Sequence, residues 1–332
     1  MVVSDRAMPR AVSSDSFGPP EAYALVEAPS KPLETGQVRI AIKAAGISFV
    51  DVLTARGEYQ VKPPLPFIPG SEGAGIVAEV GGDVTGFAVG DRVVFSAWGG
   101  LFADEVVLPQ RALRLVPDGM ELISAAVFPV SYATAWHALV DRGQLKAGET
   151  LLVLGAAGAT GLAAVQIGKH LGALVIALAS NAEKRALTLA SGADSAIDGR
   201  AEDWRDKVKA TNGNKPVDVV FDLVGGTMTE PAFRSLAWGG RHLIIGFPAG
   251  IAALRTNLPL LKGASLIGVD IRQFGIFEPE RSEANRDTIF ALAARGILKP
   301  AIAHIFPLED FAEAMNAAAA GQSAGRIVLV MD

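Results

Sequence analysis

Thr150-Leu151-Leu152-Val153-Leu154-Gly155-Ala156-Ala157-Gly158-Ala159-Thr160-Gly161 is the stretch on which the reading of this 332-residue chain turns. Residues 150–154 form an apolar run of strand length, apolar at nearly every position, as a strand buried on both faces requires. Residues 161–171 then read as a helix. Between them lies a turn with almost no side chains. Gly158 and Gly161 occupy the last two glycine positions of G-x-G-x-x-G, and Ala156 stands at the first. Such a turn lets backbone N–H groups approach a pyrophosphate, and the positive end of the helix dipole favours the anion. The strand before and the helix after supply the context that a lone glycine pattern lacks.

Outward from this loop, residues 126–272 alternate between strand and helix patterns. Strands are expected at 150–154, 174–178, 195–197, 217–222, 242–246 and 265–270. Helices are expected at 123–140, 161–171, 182–191, 204–211 and 229–236. This alternation predicts an α/β fold, a doubly wound parallel sheet covered on both faces. Residues 1–125 differ. Short apolar runs at 38–44, 74–80, 92–96 and 103–108 are cut by Pro and Gly, as in a β-rich, barrel-like domain. The proline-rich run 62–70 cannot be helical. Residues 273–332 carry helices at 283–295 and 308–320 and strands at 301–306 and 326–331. This tail either returns to the first domain or forms a small third one.

The end of the second strand of the parallel sheet speaks to cofactor type. Dinucleotide sites for NAD place an acid there, about 20 residues past the glycines, to hold the ribose 2′-hydroxyl. Here the place reads Ala179-Ser180-Asn181-Ala182-Glu183-Lys184-Arg185. Hydroxyl donors and two cations suit a 2′-phosphate, which an acid would repel. NADP(H) is therefore expected, with Ser180 and Lys184 at the 2′-phosphate; the alternative is that Lys184 and Arg185 form a solvated helix face.

Composition excludes several classes. The chain has 30 Lys+Arg, 35 Asp+Glu and no cysteine. Without cysteine there is no disulfide, thiolate zinc site, iron–sulfur cluster or cysteine nucleophile. The net charge of −5 lacks the basic excess of a nucleic-acid binder. Residues 1–11 lack the apolar core of a signal peptide, and the most apolar stretch, 162–179, is interrupted by Gln166, Lys169 and His170. A cytoplasmic protein without nucleic-acid or membrane partners is expected. The four histidines, at 137, 170, 242 and 304, form no ligand-spaced pair. Gly321-Gln322-Ser323-Ala324-Gly325 matches G-x-S-x-G, but a helix precedes it and a strand follows, the reverse of the order a nucleophile elbow needs.

Five ordered motifs carry a family resemblance. They are Pro69-Gly70-Ser71-Glu72-Gly73-Ala74-Gly75, Gly90-Asp91-Arg92-Val93, Ala133-Thr134-Ala135-Trp136, the loop 155–161 with Ala164-Val165-Gln166, and residues 218–226. Together, over nearly the whole chain, they resemble the zinc-free quinone oxidoreductases of the medium-chain dehydrogenase/reductase superfamily, the ζ-crystallin-like branch. The resemblance implies a GroES-like barrel built from residues 1–125 and 273–332, with a Rossmann domain over 126–272 inserted between. It also implies an active site between the domains and a homodimer, joined through the edge near 265–270.

Carried over by motif, the resemblance implies that Ala157, Gly158, Ala159 and Thr160 cradle the pyrophosphate. Val224 and Phe247 are implied to border the cofactor. Val269, Asp270 and Ile271, in the last Rossmann strand, are implied near the nicotinamide, and Thr134 lines its pocket. Ser48, Asp51 and Tyr59 are implied on loops facing it. Gly199 stands where relatives often have Tyr or His near the adenosine; Arg200 follows it. Ser48 and Leu53 replace the Asn and Tyr frequent in relatives. Zinc members carry a Cys where Ser48 stands and a His where Ser71 stands, and serine is a poor zinc ligand. No metal is expected. The chemistry is then the cofactor's: hydride transfer to a quinone or another α,β-unsaturated carbonyl compound. Ser48, Tyr59 and Thr134 are the hydroxyl candidates near the acceptor oxygen, and Asp51 either orients one of them or is structural. The alternatives are an enoyl or alkenal reductase and a non-catalytic NADPH-binding protein.

Overall fold

The computed structural model describes residues 8–332; the opening residues of the stretch weighed above as a signal peptide lie outside them. The chain begins with strands β1 (Arg10–Ser13), β2 (Ala24–Glu27) and β3 (Gln37–Ile47), helix α1 (Phe49–Ala55), and strands β4 (Glu72–Val80), β5 (Arg92–Ser96), β6 (Glu105–Pro109) and β7 (Leu113–Leu115). Helices α2 (Leu122–Ala125) and α3 (Pro129–Trp136) follow, and a π-helical turn (His137–Arg142) extends α3. Alternation then sets in: β8 (Thr150–Leu154), α4 (Ala159–His170), β9 (Leu174–Ala179), α5 (Ala182–Ala190), β10 (Ser195–Asp198), α6 (Trp204–Thr211) and β11 (Val217–Asp222). It continues through α7 (Thr229–Arg234), β12 (Leu236–Ile244), α8 (Asn257–Lys262) and β13 (Ser265–Gly268). The chain closes with α9 (Ile271–Phe277), α10 (Pro279–Ala294), β14 (Ile302–Pro307), α11 (Phe311–Ala320) and β15 (Arg326–Val330).

Two compact units result. One runs to Val130 and resumes at Ile302–Asp332; the other is Ser131–Ala301. The sequence-based cuts stood at 125/126 and 272/273, so residues 273–301 fall with the inserted unit.

In the inserted unit six parallel strands lie in the order β10-β9-β8-β11-β12-β13. This is the Rossmann-type α/β sheet that the alternation predicted. All five residues of β8 are buried. Leu152 and Leu154 pack in one core with Ile176, Val220, Trp204, Val208 and Phe233. Leu151 and Val153, on the opposite face, are equally inaccessible. No residue of β8 therefore has a solvent face, which is why its sequence does not alternate.

In the other unit β14-β15-β3-β4-β5-β7 form a sheet in which β6 also pairs with β3. Only β14 and β15 pair in parallel; the remaining pairings are antiparallel. This is the GroES-like part of the fold. Its core joins the two chain ends: Val38, Ile40, Ile42 and Phe95 pack with Met315, Ile327 and Leu329. Gly75 of the Glu72-Gly73-Ala74-Gly75 run is structural, since a Cβ there would lie 2.2 Å from the Ala41 carbonyl oxygen across the β3–β4 pair.

Several boundaries depart from the sequence expectation for local reasons. The helix expected over 123–140 breaks at Pro129, which starts α3 because proline is tolerated only in the first turn. The strand expected over 265–270 stops at Gly268, because the Asp270 carboxylate accepts the N–H groups of Arg272 and Gln273 and starts α9. β12 begins at Leu236 and not at residue 242, through a register shift against β11.

Glu72, on β4, is 1% exposed and pairs with Arg326 of β15. Burial pushes its carboxyl up, and Arg326 pulls it back down. Arg326→Met removes that pull and raises the folded-state value further above the unfolded one. Such a group costs stability above the unfolded value and nothing well below it. The variant is expected to lose about 3 kcal/mol near neutral pH, and less at about pH 5, by chemical denaturation. A pH-independent loss would contradict the assignment.

Candidate functional site

The turn after β8 is held by a steric constraint. Gly155 has φ +66°, and a Cβ on Gly161 would lie 2.4 Å from the Gly155 carbonyl oxygen. Only glycine permits this approach, so the chain passes directly from β8 into α4. Gly158 is the extended N-cap of α4 and supplies no side-chain acceptor to the first-turn N–H groups. Those donors suit an external anion. Lys169 and His170 in the last turn complement the helix dipole at its other end.

Chain order places the crevice. The strands step outward from β8 to β9 to β10, then resume on the other side with β11. The switch point lies between β8 and β11, where open α/β sheets bind ligands beyond the strands' carboxyl ends. There a Cβ on Gly155 would lie 3.2 Å from Val224 Cγ2. Gly225 and Gly226 both have positive φ, and Cβ atoms on them would lie 2.8 Å from Phe247 Cα and 2.4 Å from the Ala249 carbonyl oxygen. The turn after β11 is thus pressed against residues 247–250. Ala249 N–H donates to the Val224 carbonyl at 3.0 Å and Gly226 N–H to the Gly250 carbonyl at 2.7 Å. The structure therefore brings the turn after β8, at Gly155, against Val224, and the turn after β11 against residues 247–250, with Phe247 half-exposed.

The turn after β11 hangs from a residue that sequence reasoning missed. Asp222 Oδ1 accepts the N–H groups of Val224 and Gly225, each at 2.9 Å. Its Oδ2 lies 2.7 Å from Thr229 Oγ1 and 3.0 Å from His242 Nε2. Burial alone would push this carboxyl up, but hydrogen bonds from His242, Gly225 and Thr229 hold it below the usual carboxylate range. An acid closing an apolar strand before Gly-Gly was the available signal.

At the neighbouring strand ends, Asn181 caps α5 by accepting Lys184 N–H at 2.8 Å. Ser180 precedes it. Burial, and then the charge of Arg200, pull the Lys184 ammonium below its ordinary pKa, against Glu183. Lys184 and Arg200 thus share one neighbourhood. The Asp198 carboxylate there is engaged by Arg185 at 3.1 Å. A Cβ on Gly199 would make an ordinary 3.4 Å contact with Leu178, so the position has room for a side chain.

Val269, Asp270 and Ile271 lie beyond the end of β13, the strand at the sheet's edge, two places from β11. Asp270 and Ile271 begin α9 and are not strand residues; Val269 N–H still donates to the Ile244 carbonyl at 3.0 Å.

In the other unit Ser48 and Asp51 form a capping box at the start of α1. Ser48 N–H and Oγ lie 2.8 and 2.6 Å from Asp51 Oδ2, and Asp51 N–H donates to Ser48 Oγ at 3.2 Å. The single Ser48 hydroxyl proton is committed to the carboxylate. Burial pushes Asp51 above the usual carboxylate range, while hydrogen bonds from Ser48 and Ser71 and the charge of Arg326 oppose the rise. Tyr59 is half-buried in the loop after α1. Thr134 is not in this unit; it is buried on α3. Among the described residues no three or more His, Asp or Glu side chains gather as a metal-binding group. Nor is any helix among them long and apolar enough to cross a membrane.

Residues 34–118 match the family described as alcohol dehydrogenase GroES-like domain, and residues 159–285 the one described as zinc-binding dehydrogenase. The chain is 37% identical over 310 residues to a quinone oxidoreductase-like protein 2 of Rattus norvegicus, covering 91% of this chain and 87% of that one. It is 31% identical over 327 residues to a quinone oxidoreductase of Homo sapiens, covering 97% and 98%. Among solved structures, Escherichia coli quinone oxidoreductase complexed with NADPH superposes with a TM-score of 0.88 at 27% identity, over 97% of this chain and 100% of that one.

Ser48→Ala removes both hydrogen bonds that the hydroxyl makes in the capping box. It is expected to cost about 1 kcal/mol of stability in denaturant titration. An unchanged midpoint would show that the cap carries no weight.

Proposed function

This chain belongs to the quinone oxidoreductase-like branch of the medium-chain dehydrogenase/reductase superfamily, and we propose that it is a zinc-independent reductase that uses NADPH to reduce quinones or other α,β-unsaturated carbonyl compounds. The observation that carries the reading is the side-chain-poor N-terminus of α4 at the β8–β11 switch point, flanked by the Lys184–Arg200 neighbourhood. The uncapped first turn of α4 fits a pyrophosphate, and the cations fit a 2′-phosphate.

Bound there, the reduced coenzyme supplies a hydride. The chain's own part is to bind and orient. Backbone N–H groups of Ala157, Ala159 and Thr160 would hold the pyrophosphate, while Gly158, whose N–H donates to the Gly155 carbonyl at 3.0 Å, shapes the turn. Ser180 and Lys184, with Arg200, would hold the 2′-phosphate, and an anion there would oppose the burial, and then the Arg200 charge, that lower the Lys184 pKa. Val224 and Phe247 wall the crevice, and Gly199 leaves the adenosine side open.

Tyr59 and Thr134 remain the hydroxyl candidates for the acceptor oxygen that the family resemblance implies. Ser48 donates to an acceptor only when Asp51 carries a proton, because the ionised carboxylate otherwise takes the Ser48 hydroxyl hydrogen. With the Asp51 carboxyl raised by burial, this exchange is more accessible towards acid pH than for an ordinary aspartate. Serine at 48 and 71 leaves no imidazole or thiolate for a zinc ion, which is the basis for zinc independence.

We further propose a homodimer joined through β13. It is the terminal strand of its sheet, and Trp238, Leu260 and Leu261 around it are 81%, 78% and 67% exposed. Light scattering is expected to give a dimer; a monomer at micromolar concentration would contradict it.

Loss of nicotinamide absorbance with 1,4-benzoquinone or a medium-chain enone tests the activity. Rapid NADPH oxidation is expected with at least one. Tight NADPH binding without turnover across a broad acceptor panel would contradict a reductase. Ser180→Asp is expected to weaken NADPH binding by about tenfold or more and to spare NADH. Unchanged NADPH affinity would remove Ser180 from the 2′-phosphate site.

A further inference from the structure

His242 lies on β12 between Arg241 and Leu243, with its side chain fully buried. Its ring stacks on Phe233 with centroids 5.8 Å apart. Nε2 lies 3.0 Å from Asp222 Oδ2, whereas Nδ1 has no partner. This pattern assigns the tautomer. The nitrogen facing a carboxylate must be the donor, and a buried N–H at Nδ1 would be an orphan, so the neutral Nε2–H form fits. Asp222 then receives four donors: the Val224 and Gly225 N–H groups on one oxygen, and the Thr229 hydroxyl and His242 Nε2–H on the other. Two of them are the backbone of the turn that meets Gly155 at the switch point. The other two are side chains from separate elements, α7 and β12, and they fix where the carboxylate sits.

We propose that His242 is a positioning residue, acting through Asp222 to hold the turn of residues 223–226 in the form that lines the dinucleotide crevice, with Thr229 as its partner. This rests on the coenzyme-binding reading above. A merely space-filling histidine would need only its shape and its contact with Phe233. A positioning histidine needs the donor at Nε2. The two roles separate by substitution: Leu keeps apolar bulk without a donor, whereas Gln carries an amide N–H at about the reach of Nε2.

The test compares wild type, His242→Leu, His242→Gln and Thr229→Val, all as the full-length chain. Amide exchange of a peptide spanning residues 222–229 and NADPH affinity by fluorescence titration are the readouts. Faster exchange at Val224 and Gly225 in His242→Leu, an NADPH Kd raised about tenfold, and recovery of both in His242→Gln are expected. If His242→Leu does not fold, Thr229→Val removes the other side-chain donor and is expected to shift both readouts in the same direction. Unchanged exchange and affinity in a folded His242→Leu, or a Gln variant no better than Leu, would overturn the proposal while leaving the coenzyme site standing. Wild-type protein that binds no NADPH would overturn the coenzyme reading and this proposal with it.

Discussion

A Cβ on Gly161 would sit 2.4 Å from the Gly155 carbonyl oxygen, and that one close approach organises the inserted unit. It lets a fully buried strand turn into a helix without a wide loop. The N-terminus of α4 thereby stands over the end of β8, beside β11, where the order of strands reverses. The neighbouring turn obeys a similar constraint, since Gly225 and Gly226 press against residues 247–250. Three strand ends meet there with few side chains between them, which leaves backbone N–H groups as the principal donors. Such a surface suits an anion by geometry and dipole.

The two units also stabilise buried carboxylates in opposite ways. Asp222 receives four hydrogen bonds and is held below the usual range despite burial. Asp51 shares its surroundings with Glu72, and both are raised, because burial outweighs the serine donors and the single Arg326. The first arrangement favours the ionised carboxylate through its donors. The second is a pair of raised carboxyls, Asp51 bonded to Ser48 and Ser71 and Glu72 paired with Arg326.

Much of this was legible in the residues. β8, β11 and α6 have the limits expected of them, because both strands are bounded by turn residues and α6 begins and ends with its amphipathic pattern. The glycine-rich turn from β8 into α4 was legible because glycine spacing, strand and helix are local. What was not legible depends on contacts distant in sequence or on competing local chemistry. Asp222 and His242 are 20 residues apart, and nothing in the spacing pairs them. Ser48 and Asp51 carry the spacing of a capping box, which the structure forms, while the sequence leaves open whether Asp51 orients a hydroxyl or is structural. Asp270 was assigned to a strand, and its carboxylate instead starts a helix. In each case the side chain's hydrogen-bond partner, which sequence does not name, decides the role.

A crystal structure of the protein soaked or co-crystallised with NADPH tests the account most directly. The account predicts the pyrophosphate against the first turn of α4 at residues 157–160, the turn of residues 223–226 alongside it, and the 2′-phosphate beside Ser180 and Lys184. A dinucleotide bound away from the β8–β11 switch point, or a 2′-phosphate directed to solvent with Lys184 and Arg200 disengaged, would contradict it.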